Sequence, residues 1–245
     1  MKCAAPSPAL SMRLPFRLPP LVWWFVPLLA VAAVAWVHLA RARQVLRLAE
    51  VGQPAVVVDR NSPTGYAGGW RKLIVPEPNH VSHQWVSLLQ ELQSEDAWRV
   101  RWTDQDNAPT GRAVHAPSPY AWWLAFVAAV DQAVSGKSPG LAAEHTLVTA
   151  GPWLHLLFVL GAAAVVTWQF GYGAGMVVLL GLSFLQPLVG IFVPGRLSGL
   201  ALALVAVFLS VFGLLAAVAG RVRVDRRARA FAIAGGFGAL GLWLS

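Results

Sequence analysis

From His145 to Gly220 the chain runs for about 75 residues with a single formal charge, Arg196, enough apolar length to cross a hydrocarbon layer of about 30 Å more than once. Only 12% of the 245 residues are charged, against roughly 25% in soluble domains, which argues against a water-soluble globular enzyme. The expected fold class is a mainly α, polytopic integral membrane protein. It has four to five transmembrane helices and one large mixed α/β external loop between the first and second spans.

The first apolar run, Leu21 to Ala40, follows Pro19-Pro20 and the basic Lys2, Arg13 and Arg17. About 20 residues make a helix of roughly 30 Å, long enough to span. A cleaved leader ending at Ala40-Arg41-Ala42 is the competing reading, but the run exceeds the usual leader core of about 7–15 residues. Three further spans fall at Pro152 to Trp168, Gly173 to Val193 and Leu197 to Ala219, and residues 230–245 form an incomplete one. The expected order is therefore a cytoplasmic tail (1–20), a span (21–40), an external domain (41–151), three spans (152–219), a basic cytoplasmic loop (220–229) and a last apolar stretch.

Basic residues flanking spans favour the cytoplasmic side. The densest cluster is Arg221, Arg223, Arg226, Arg227 and Arg229. Holding it inside places the N-terminus inside, and residues 41–151 and the turn Pro194-Gly195-Arg196 outside, in what reads as a bacterial inner membrane. Arg41, Arg43 and Arg47 run against this placement. The formal charge of +8 thus sits beside apolar segments and forms no nucleic-acid-binding face. The only cysteine, Cys3, permits no internal disulfide.

The external segment has its own periodicities. Val81, Trp85, Leu88, Leu89 and Leu92 make one helical stripe behind a cap at Asn79. Trp98, Val100 and Trp102 alternate with Arg99, Arg101 and Thr103, as in a half-buried strand. Ser118-Pro119 starts a helix that stops at Ser135-Gly136. Its core, 119–134, carries Trp122, Trp123 and Phe126, which suits the headgroup level of a bilayer.

Chemistry is sparse. Gly136-Lys137-Ser138 lacks the earlier glycine of a phosphate loop, since Asp131 stands there. No histidine pair has the spacing of a helical zinc site, and His80 and His83 read as surface or capping residues. Asp104 and Asp106 can face one divalent cation, or serve as turn formers before Asn107-Ala108-Pro109. Arg99, Arg101 and Arg112 flank the pair and suit either an anionic headgroup or the aspartates themselves.

The architecture resembles the start of a GT-C-fold membrane glycosyltransferase over roughly residues 20–220. Within 79–123, Val81-Ser82-His83-Gln84-Trp85, the run Arg99 to Arg112 and Ser118-Pro119-Tyr120 resemble the first external loop of bacterial relatives of the oligosaccharyltransferase catalytic subunit. The resemblance implies transfer of a sugar from a polyprenyl-phosphate carrier on the outer face. It implies substrate contacts at His83, Arg101, Asn107 and Arg112, Mg²⁺ or Mn²⁺ on Asp104 and Asp106, and a bilayer or a partner membrane subunit around the chain. Two departures stand out. The family pattern Ser-x-Asp reads Ser82-His83-Gln84 here, and the outward turn Pro194 to Gly199 holds no carboxylate. The expectation is therefore an N-terminal fragment or shortened relative of such a transferase, or a non-catalytic membrane protein that binds a lipid-linked glycan or a partner subunit. A small transporter fits less well, since His155 is the one ionisable group within the later spans besides the turn.

Overall fold

The computed structural model describes residues 20–51, 57–68, 80–104, 107, 109–218 and 224–245. The basic tail, the cap at Asn79, Asp106 and the loop residues 219–223 lie outside them. The described chain is mainly helical: α1 (Pro20–Glu50), α2 (His80–Ser94), α3 (Ser118–Ser135), α4 (Pro139–Phe170), α5 (Tyr172–Phe184), α6 (Gln186–Val189), α7 (Gly199–Val218) and α8 (Val224–Leu244). A minimal sheet pairs β1 (Trp102–Thr103) with β2 (Arg112–Ala113), antiparallel, Trp102 opposite Ala113. Among the described residues, three helices are long and apolar enough to cross a membrane: α1 from Phe25, α4 and α7. That is compatible with an integral membrane protein.

Helix α4 organises the rest. Its 32 residues reach about 48 Å, well beyond a hydrocarbon layer of about 30 Å. The residues from Pro139 onward and the span expected from Pro152 are one continuous element. Pro152 lies inside it, removing a single backbone donor. The residue before it, Gly151, lets the chain at Phe192 approach so closely that a Cβ would sit 2.8 Å from the Phe192 carbonyl oxygen. The lower part of α4 builds one core with α5, the segment after it and α7, around Leu154, Phe158, Val159, Leu179, Leu182, Phe192 and Val205. Its upper part meets α2 and α3 in a second core of Trp85, Leu88, Leu89, Tyr120, Leu124 and Leu147. The stripe read on α2 supplies Trp85, Leu88 and Leu89 to that core.

The span expected from Gly173 to Val193 is interrupted. Pro187 has no N–H to donate and its ring would crowd the carbonyl four residues back, so α5 ends at Phe184 and Leu185 turns to extended backbone. At 13 residues, α5 alone is about 20 Å long. Its final carbonyls then have no intrahelical donor. Gly181 O accepts from Leu185 N–H, and Leu182 O lies 3.0 Å from His155 Nε2. Because a carbonyl only accepts, His155 must carry its proton on Nε2. Its Nδ1 must then accept from His38 Nε2–H of α1, 2.8 Å away. Both rings are buried, and His155 also stacks on Phe192 with centroids 4.9 Å apart. The chain Leu182, His155, His38 thus locks α1 and α5 to α4. Because α4 begins at Pro139 and not at Pro152, His155 lies deep within it.

The expected period-two strand is confined to β1. Val100 is buried while Trp98 and Trp102 are exposed, because the pairing is only two residues long and imposes no pleat on residues before it. Trp98 instead turns outward against Trp122, whose indole N–H donates to the Trp98 carbonyl at 2.8 Å. At the other end, α8 starts at Val224, inside the stretch expected as a basic loop, since arginines are good helix formers. It packs on α7 through small residues: a Cβ on Gly213 would lie 3.0 Å from Ala234 Cβ.

His38→Leu and His155→Leu should each lower the melting temperature in detergent, by the equivalent of about 1–3 kcal/mol for each buried group left unpaired. His155→Leu should cost more, since it strands both Leu182 O and His38 Nε2–H. The double variant should lose less than the sum. Additive losses across the cycle would show that the two rings act separately.

Candidate functional site at the Pro194 to Ser198 turn

The segment after α6 returns across α4 and starts α7, and its backbone is held residue by residue. Gly195 N–H donates to the Leu147 carbonyl at 2.9 Å and Arg196 N–H to the Val193 carbonyl at 3.1 Å. Leu197 N–H donates to Ser82 Oγ at 3.0 Å and Ser198 N–H to the Tyr120 hydroxyl oxygen at 3.0 Å. Gly195 has φ 91°, a left-handed conformation that glycine adopts without a Cβ clash. Pro194 and Leu197 are fully buried. Tyr120 packs edge-on against Trp85, centroids 4.7 Å apart, and burial pushes its phenol pKa up, so the hydroxyl stays neutral.

The start of α2 and the Pro194 to Gly199 turn are in contact here, through Ser82. Their meeting brings no carboxylate. What the turn projects is Arg196, into a cavity of about 260 Å³. The opposite wall is the upper end of α1, with Arg41, Gln44, Val45 and Leu48. The described lining holds two guanidiniums, one amide and no acid. Guanidinium forks match phosphate or carboxylate oxygens in pairs, so the chemistry on offer in this lining is that of anion contact. Arg196 Nη1 also donates to Gly190 O at 3.4 Å, which steadies one face of the group.

The residues expected from sequence lie elsewhere. Asp104 is exposed, and its Oδ1 accepts from the Trp102 indole N–H at 3.0 Å. Asp106 lies outside the described residues. Asn107 has φ 59° and donates from Nδ2 to Thr110 Oγ1 and the Gly111 carbonyl, the work of a turn former. Arg101 and Arg112 are exposed beside the two-stranded sheet, Arg112 opposite Thr103, and His83 is half-buried on α2. Among the described residues no three His, Cys, Asp or Glu side chains gather to hold a metal ion.

Arg41 and Arg196 escaped the sequence reading as a pair. The available signal was the misfit of Arg41 to the charge rule for the first span, together with the isolation of Arg196 in an apolar run. The hairpin itself is tied down by Glu91, whose Oε2 accepts from Thr103 Oγ1 at 2.9 Å. Burial raises the Glu91 pKa above its ordinary 4.5, with the Thr103 hydrogen bond opposing. No family model, curated protein or solved structure matches the chain.

The raised Glu91 value means the folded chain binds that proton more tightly than the unfolded one. Its contribution is therefore full below about pH 4.5 and is lost as pH rises through the folded value. Glu91→Gln keeps an acceptor for Thr103 and cannot ionise. Melting curves from pH 4 to 7 should show the variant gaining on the parent as pH rises. A variant that instead loses ground to the parent as pH rises would reverse the sign of the shift.

Proposed function

We propose that the chain is a GT-C-type membrane protein that binds a polyprenyl-phosphate-linked sugar from the outer face, with the carrier phosphate held between Arg41 and Arg196. The observation that carries this reading is the convergence of two guanidiniums on one cavity at the top of the candidate spans. There a lipid-borne phosphate can enter sideways from the bilayer while its chain stays in lipid. The contact between Ser82 and Leu197 brings together the two segments in which the resemblance leads one to expect acidic residues.

The orientation that goes with this proposal has the α2, α3 and turn end of the bundle outside, the N-terminus inside and a bacterial inner membrane around it. On that reading Arg41 sits at the outer headgroup level because its cavity needs it, which accounts for its misfit to the charge rule. Asp104 and Asp106 remain the proposed holders of Mg²⁺ or Mn²⁺, with Arg101, Arg112, Asn107 and His83 as more distant sugar or headgroup contacts. A non-catalytic binding protein is favoured over an active transferase by one observation: neither Ser82 to Gln84 nor Pro194 to Gly199 contains a carboxylate to serve as base or anionic ligand.

Binding of a polyprenyl-phosphate sugar to the detergent-purified chain tests this. A charge-assisted hydrogen bond contributes about 1.5–3 kcal/mol, so Arg41→Gln and Arg196→Gln should each weaken binding by about 10- to 100-fold. Added salt should weaken the parent further. Cation-dependent binding that disappears in the Asp104→Asn, Asp106→Asn double variant would add the metal. Affinity unchanged in the double arginine variant would overturn the phosphate site.

A further inference from the structure

A second cavity lies on the opposite flank of α4, between it and α3, with a volume of about 360 Å³. Its walls are Trp123, Phe126 and Val130 from α3 and Trp153 and Leu157 from α4, and only Asp131 and Thr149 add polar groups to the lining. The two helices are bridged above it by the Trp123 indole, which donates to the Ala150 carbonyl at 3.3 Å. Phe126, Val130, Trp153 and Leu157 all remain well exposed, so the groove is open along its length.

Its two ends differ in chemistry. If the C-terminal 20 or so residues of α4 cross the hydrocarbon layer of about 30 Å, Leu157 lies within the layer and Trp153 at its boundary, the usual level for tryptophan. Below Leu157 the exposed strip continues with Leu160 on the same helix. A water-soluble peptide cannot enter such an end, whereas a lipid tail is always beside it. The upper end is closed by a polar cluster. Lys137 Nζ lies 3.0 Å from Asp131 Oδ2, and His145 Nδ1 lies 3.0 Å from the same oxygen and 2.9 Å from Lys137 Nζ. Lys137 and Asp131 give this mouth one cation and one anion side by side. Its complement is a headgroup that also carries both signs.

We propose that this groove seats one acyl chain of a zwitterionic bilayer phospholipid, with the lipid phosphate meeting Lys137 and an ammonium headgroup meeting Asp131. The bound lipid wedges α3 against α4, on the flank away from Arg41 and Arg196. It is independent of the phosphate site proposed above.

The test uses the full chain in vesicles of phosphatidylcholine and phosphatidylethanolamine, the latter carrying a diazirine in one acyl chain. Photolabel should concentrate on peptides covering Phe126 to Val134 and Trp153 to Leu157, and unlabelled phosphatidylethanolamine should compete it away. Val130→Trp and Leu157→Trp fill the groove from exposed positions, and should each reduce that label at least fivefold while leaving the melting temperature in detergent close to the parent's. Lys137→Gln should reduce labelling by the phospholipid several-fold and leave labelling by a diazirine diacylglycerol unchanged. Label spread evenly over the exposed face of α4, or indifferent to the filling variants, would overturn the proposal. So would displacement by equimolar polyprenyl phosphate, which would make the groove part of the carrier site, or protection by a second copy of the chain in a cross-linked dimer.

Discussion

A helix that stops inside an apolar core leaves carbonyl groups with no water to satisfy them, and that constraint governs this fold. Pro187 ends α5 early, and Leu182 O is taken up by His155. The demand then passes along the imidazole, because a ring that donates from Nε2 must accept on Nδ1, and His38 is the donor. Two histidines in an apolar bundle would ordinarily invite a transport or proton-carrying role. Here the geometry assigns them to the repair of a broken helix, and through it to the attachment of α1, whose exposed surface makes few other ties to the bundle.

Once α5 has stopped, the chain is free to cross back over α4 at Gly151 and form the turn at Pro194. The same interruption that costs a full span therefore produces the site. A straight helix from Gly173 to Val193 would have carried Arg196 to the end of a span with nothing beside it. The turned segment instead presses Phe192 onto Gly151, gives Leu147 O a donor, and hands successive N–H groups to Ser82 and Tyr120. A side chain projected from a backbone held at every residue loses little freedom on binding, which is what an anion receptor at a wet boundary requires.

Much of the local structure was legible because local chemistry decided it. Ser118-Pro119 and Ser135-Gly136 bracket α3 as written, and the α2 stripe is the buried one. What was illegible depended on partners distant in sequence. Pro152 reads as a helix start until Phe192 is seen packing beside Gly151. Pro187 reads as a tolerable mid-span proline until His155 is seen taking the carbonyl it frees. Tryptophans at 98 and 102 mimic an inward strand face, yet one covers Trp122 and the other caps Asp104. The two arginines of the candidate site were hidden for the same reason. Asp104 and Asn107 advertise themselves by composition but spend their polar atoms on turn geometry, while Arg41 and Arg196 are each unremarkable alone and acquire meaning only across the fold.

Helix α4 carries different chemistry on its two flanks at one depth. Leu147 and Gly151 face the turn and the two arginines, whereas Thr149 and Trp153 face the α3 groove and its balanced cluster of Lys137, Asp131 and His145. The first flank presents cations and the second a paired cation and anion, so an anionic carrier and a zwitterionic lipid would sort between them by charge. Extra charge on a carrier phosphate is rewarded beside two guanidiniums and gains nothing beside a cation already paired with a carboxylate. Because both surfaces hang on one helix, held by Gly151 above and His155 below, their spacing is set by α4 and not by the loops that supply most of the polar residues.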